Sequence, residues 1–221
     1  QRVDKARCVD VIFLAGKITS FLFGVTTLFI AITPYRNLTV QDLEHYRTLA
    51  TDIDGLILRT PMPMDQLEQW IEQIVRQGFP KDKLIAHNDI QLLERQHLSA
   101  IHFKESAEEL ESFVDTHPNI RVSQSTHSAA TIQRAANLDL DFVLYGHIFP
   151  TKSKPGLAPR TAEEVWAAVA QPIPVVALGG ITLTNISQLP KGFAGIAAIS
   201  LFENVTTSEM KALRKEWSDY V

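Results

Sequence analysis

The sequence predicts a single α/β domain of the (β/α)8, or TIM-barrel, class. Three observations carry that expectation. Eight short apolar runs, mostly rich in Ile, Val, Leu or Phe, recur between residues 26 and 200. Amphipathic stretches of helical period lie between them. Polar residues and glycines stand directly after the runs, where a barrel of this class places its active-site loops.

The runs cover residues 26–33, 55–60, 83–87, 100–103, 120–125, 142–148, 175–178 and 195–200. Such short continuous apolar runs are what parallel strands buried on both faces require. Residues 40–50 repeat apolar side chains at helical spacing behind Thr39, a suitable N-cap. Residues 66–77 follow Asp65, whose Asp65-Gln-Leu-Glu68 pattern resembles a capping box; Thr161-Ala-Glu-Glu164 is a fuller one. Shorter helices or turns fit residues 92–96, 107–114, 129–138, 183–188 and 208–217. A doubly wound open sheet normally stops at about five to seven strands and carries a Gly-rich loop after the first. Thr33-Pro34-Tyr35-Arg36 is no such loop.

With 221 residues the chain can bury a large core without covalent staples, and no internal repeat or linker divides it. The net charge of −4 leaves no basic excess for nucleic acid. The lone Cys8 excludes an intramolecular disulfide and a multi-cysteine metal site, and fits a reducing, cytoplasmic setting. Residues 1–24 read as an extension ahead of a single domain at 25–221. A signal peptide there lacks a small-x-small cleavage site. A membrane span would consume residues 26–32, which the first strand needs. No membrane partner is therefore expected, and a homo-oligomer is compatible with the chain.

The strand ends hold the chemistry. Arg59 follows the second run, His87-Asn88-Asp89 the third, and His102 and Lys104 the fourth. Ser125-Thr-His-Ser128 ends the fifth. Glycines let backbone amides approach a phosphate closely. Gly179-Gly180 and Ile199-Ser200, after the last two runs, match that need, although Gly179-Gly180 also fits a tight βα turn. Thr151, Ser153 and Lys154 offer hydroxyls and a cation to an anion, or form a solvated loop. His127 is the best general acid/base candidate, the structural alternative being a cap on the following helix. His87, His102 and His147 match no zinc spacing, so no metal site is expected from them.

At these residues the chain resembles the thiamine-phosphate synthase/TenI family over about residues 26–204. The resemblance rests on Ser125-Thr-His-Ser128, Gly146-His-Ile-Phe-Pro-Thr-Lys-Ser-Lys154, Val176-Ala-Leu-Gly-Gly-Ile181 and Ala198-Ile-Ser-Leu-Phe202. It implies one of two activities in thiamine biosynthesis. The synthase joins a pyrimidine diphosphate to a thiazole phosphate with Mg²⁺ held by two aspartates. The TenI branch is an isomerase that aromatises a thiazole carboxylate phosphate by proton transfer, without a cofactor. Of the synthase's Gln-x-Arg-x-Lys pattern only Arg59 survives, Asp89 matches the first magnesium aspartate, and no carboxylate stands at Ala107, near which the second belongs, although Glu105 and Glu108 are close by. Gly146-His147 replaces the synthase's Gly-Pro. These departures point to the tautomerase, with His127 as acid/base and Lys154, Gly180, Ile199 and Ser200 as phosphate or substrate contacts. The alternatives are the Mg²⁺-dependent synthase and a non-catalytic regulatory barrel that binds a phosphorylated thiazole.

Overall fold

Each of the eight apolar runs carries a strand in the structure, a computed structural model that describes residues 27–220. The strands are β1 Leu28–Ile32, β2 Gly55–Leu58, β3 Leu84–His87, β4 Ala100–Phe103, β5 Arg121–Thr126, β6 Phe142–Gly146, β7 Val175–Leu178 and β8 Gly195–Ala198. All neighbours pair in parallel in sequence order, and β8 returns to β1 in the register Leu28↔Gly195 to Ala31↔Ala198, which closes the barrel. Gly195 is needed for that closure, because a Cβ there would lie 1.9 Å from the Leu28 carbonyl oxygen.

The helices are α1 Val40–Thr48, α2 Met64–Arg76, α3 Ile90–Arg95, α4 Leu110–Thr116, α5 Ala129–Asn137, α6 Ala162–Val169, α7 Ser200–Asn204 and α8 Thr207–Tyr220. After β7 a 3-10 turn, Ile186–Gln188, stands where a helix belongs. Alternation along the strands makes two cores. Ile30, Ile57, Ile85, Leu144, Val176 and Ala197 cluster inside the barrel. The larger set, including Phe29, Leu56, Phe103 and Tyr145, packs between sheet and helices. Burial of a large aliphatic or aromatic side chain stabilises by roughly 1.5–3 kcal/mol, so the many buried residues of both layers hold the strand ends in place.

Thr39 and Thr161 cap α1 and α6 through complete capping boxes with Asp42 and Glu164. The expected box at Asp65 does not form. Pro63 occupies the N-cap of α2 without a side-chain bond, and Asp65 falls in the first turn. Glu68, freed from capping, instead takes a bidentate bond from Arg95 with both distances 2.7 Å. The last run also stops early: β8 ends at Ala198 because Ser200 already opens α7. The expectations for residues 1–24, and Thr26 of the first run, lie outside the described residues. Among the described residues no helix is long and apolar enough to cross a membrane.

Candidate active site

The C-terminal ends of the strands open into a cavity of about 430 Å³. Arg59 after β2, His87 at the end of β3, Lys104 and Glu105 after β4, and Ser125 and His127 from the end of β5 line it, with Ser106 beside them. Arg59 also lies 4.7 Å above the ring of the exposed Tyr35. The Lys104 amide donates to the Asn88 side chain at 3.0 Å, which ties the β3 and β4 loops together.

Beneath this cavity the barrel interior turns polar. His102, expected at a strand end, points into the barrel and is buried, because it alternates with the outward Ile101 and Phe103. Its Nδ1 lies 2.9 Å from Ser123 Oγ and its Nε2 2.9 Å from Ser125 Oγ. His87 stacks beside it with ring centroids 6.0 Å apart. Burial pushes His102 down to about 3, assisted by His87. Burial also pushes His87 down to about 4, and the nearby Arg59 and Lys104 charges act in the same direction. Both imidazoles are therefore neutral near pH 7.

His127 sits in a line of three groups. Glu105 accepts from the His127 backbone N–H at 2.9 Å and lies 2.5 Å from Nδ1. Lys154 Nζ lies 3.3 Å from Nε2. A carboxylate only accepts and an ammonium only donates, so Nδ1 carries the proton and Nε2 accepts from Lys154. Burial raises the Glu105 pKa, but bonds from Thr131 and His127 outweigh it and hold the carboxyl below its usual range. Ser128, not His127, caps α5. The sequence reading passed over Glu105 as a partner of His127, since 22 residues separate them and only the parallel pairing of β4 with β5 brings their ends together.

The other flank is built from backbone. Gly179 and Gly180 have φ of +98° and +69°. A Cβ on Gly179 would lie 2.4 Å from the His147 Cβ, and one on Gly180 would lie 2.5 Å from the carbonyl oxygens of both Phe149 and Pro150. The β7 loop thus packs directly on the β6 loop. Asn185 holds it by donating to the Gly180 carbonyl at 2.9 Å. Ile199 is half-buried and Ser200 exposed at the start of α7. The Lys154 amide donates to the Thr151 carbonyl and the Ser153 amide to the Thr151 hydroxyl, which folds this loop back on itself. His147 is buried, with Nε2 3.3 Å from the Leu157 carbonyl oxygen. The structure thus brings Arg59 and His127 to one cavity and Lys154 onto His127. Gly179, Gly180, Ile199 and Ser200 stand at neighbouring strand ends, outside that cavity's lining.

Mg²⁺ beside substrate phosphates usually takes one or two carboxylates and several waters, and the candidate carboxylates here are already engaged by the fold. Asp89 is the N-cap of α3, its Oδ1 accepting from the Leu92 amide at 2.9 Å. Ala107 is half-buried and packs on the outer core. Glu105 is held by His127. Among the described residues no three His, Cys, Asp or Glu side chains cluster as metal ligands.

Fold and site together define a class, a (β/α)8 barrel whose polar and cationic groups are gathered at the C-terminal mouth. More narrowly, the chain belongs to the thiamine monophosphate synthase (TMP-TENI) family, whose profile matches residues 45–202. It is 33% identical over 128 residues to a thiamine-phosphate synthase of Pediococcus pentosaceus, covering 56% of this chain and 59% of that protein. It is 39% identical over 98 residues to one of Chlorobium luteolum, covering 43% and 46%. The chain thus spans about half the length of these curated relatives. A solved thiamine phosphate pyrophosphorylase from Pyrococcus furiosus shares the fold, with a TM-score of 0.69 at 18% identity over 89% of this chain and 98% of that one.

The expectation of the tautomerase branch is overturned, because these relatives carry the synthase name. The Gly146-His147 pair had weighed toward the tautomerase. Gly146 answers a steric demand of the barrel, since a Cβ there would lie 2.0 Å from the Leu178 carbonyl oxygen. Glycine stands there in both branch patterns, so the pair's weight rested on His147 alone, which is buried with Nε2 3.3 Å from the Leu157 carbonyl oxygen.

Proposed function

We propose that this chain is a thiamine-phosphate synthase that joins a pyrimidine diphosphate to a thiazole phosphate. The observation that carries the reading is the state of His127. Both its ring nitrogens are engaged, by Glu105 and by Lys154, so the mouth offers fixed cations rather than a free base. The joining reaction asks for that. The C–O bond to the diphosphate breaks, the leaving diphosphate takes the electron pair, and the thiazole nitrogen bonds to the freed carbon. No proton has to be removed. Charge develops on the leaving oxygen, and cations preorganised around it stabilise the transition state.

In this reading Arg59 and Lys104 face the diphosphate and Lys154, steadied by His127, adds positive charge between the two substrates. The neutral His87 and Ser125 form an uncharged polar floor suited to a pyrimidine ring. Gly179, Gly180 and Ser200 receive the thiazole phosphate through backbone and hydroxyl donors. The test is turnover of the two phosphorylated substrates, read as thiamine phosphate formed. We expect one product molecule per diphosphate released, and a kcat lowered at least tenfold in Lys154→Ala. Binding of both substrates without product would instead leave a non-catalytic barrel.

A further inference from the structure

We propose that the mouth holds the substrate diphosphate through protein cations, Arg59 and Lys104, in place of a divalent metal. This rests on the synthase reading for the identity of the ligand. The argument begins with the carboxylates. Glu105 lines the cavity, yet one of its oxygens takes the His127 backbone N–H and the other takes Nδ1. A metal at Glu105 would compete with both of these bonds. Asp89 does not line the cavity, and its Oδ1 caps α3. Ala107 packs on the outer core, and its neighbours Glu108 and Glu109 stand outside the cavity's lining.

The cations are arranged the opposite way. Arg59 and Lys104 both line the cavity. The half-buried His87 lines the same cavity, and both charges act on it, so they are felt at one wall of the mouth. Lys104 is not on a loose loop, because its own amide is anchored on Asn88. Asn88 in turn adopts a φ of +52° and donates its amide to the His102 carbonyl at 2.8 Å. With Lys154 at the edge, three cations face the single carboxylate of Glu105, itself shared with His127. A divalent cation entering there would meet like charge and few oxygen ligands. A diphosphate meets a guanidinium fork and an ammonium, the pair of groups best suited to phosphate oxygens.

The experiment uses the full chain stripped with EDTA and inorganic pyrophosphate as the probe, read by titration calorimetry. We expect pyrophosphate to bind in EDTA, Lys104→Met to weaken it at least tenfold without a change in Tm, and Asp89→Asn to stay within twofold. Asparagine caps a helix as well as aspartate does, so this variant removes a carboxylate and keeps α3. Binding that appears only when Mg²⁺ is added overturns the proposal, as does Asp89→Asn losing as much affinity as Lys104→Met. The outcomes also separate the two readings. Pyrophosphate bound in EDTA through Lys104, with no thiamine phosphate formed, sinks the synthase and leaves this site standing. Product formed only with Mg²⁺, and no binding in EDTA, does the reverse.

Discussion

The two flanks of the barrel mouth are built from different material. After β3, β4 and β5 the functional groups are side chains: His87, Lys104, Glu105 and His127. After β7 and β8 they are mainly backbone, shaped by Gly179 and Gly180 against the carbonyls of the β6 loop, with the exposed Ser200 hydroxyl beside it. The first flank can titrate and change its charge. The second is fixed by sterics and is indifferent to pH. On the proposed reading, one mouth would take two anions by different means, one through charge and one through close approach of peptide groups.

The largest expected effect tests the titrating flank. His87 and His102 fall from the usual 6.5 to about 4 and about 3 because the fold buries them. Above pH 6.5 both are neutral in folded and unfolded chains and cost nothing. Between pH 6.5 and about 4 the unfolded chain takes up protons that the fold refuses, so stability falls as pH falls. Each histidine contributes on the order of 1 kcal/mol per pH unit in that window. Urea melts from pH 7 to 4.5 should show the decline, and His87→Leu should roughly halve its slope. An unchanged slope would place the titration elsewhere.

The backbone flank is broken by adding one carbon. Gly180→Ala should destabilise by about 2–4 kcal/mol, combining overpacking with a left-handed backbone. Gly78 makes the matched control: its φ is +97°, yet nothing lies within 4 Å of a Cβ there. Gly78→Ala should therefore cost only about 1 kcal/mol. The difference in Tm between the two variants isolates the clash with the Phe149 and Pro150 carbonyls. Equal losses would mean that the β7 loop moves away freely.

The smallest expected change in stability is at Ser200. Its side chain is exposed, so Ser200→Ala should leave unfolding free energy within about 0.5 kcal/mol. If the thiazole phosphate binds on this flank, one lost bond to a charged group is worth about 1.5–3 kcal/mol. KM for that substrate should then rise by tenfold or more while KM for the pyrimidine diphosphate stays put. A rise in both would merge the two flanks into one site.

Much of the framework was legible because it is local. The run at 100–103 and the run at 175–178 coincide with β4 and β7, since a strand buried on both faces leaves a continuous apolar mark. Thr39 and Thr161 were legible as caps for the same reason, as a capping box spans four residues. Asp89 shows the limit. The resemblance offered its carboxylate as a magnesium ligand, and the fold uses Oδ1 as the cap of α3 through the bond from Leu92, a role the motif comparison did not show. Asp65 failed in the opposite direction, because the neighbouring Pro63 set the start of α2.

By itself, then, the sequence determined the barrel, its strand order and the residues at its C-terminal mouth, all of which follow from short-range pattern and parallel connectivity. Only the tertiary structure decided which of those residues act together. It turned His102 inward onto two serines, joined Glu105 to His127 across 22 residues, and set Lys154 against the same imidazole from 27 residues away. The physical reason is closure. Strands adjacent in a closed barrel carry their end residues into one ring, and the charge, tautomer and partner of each group are set by what the ring places opposite it.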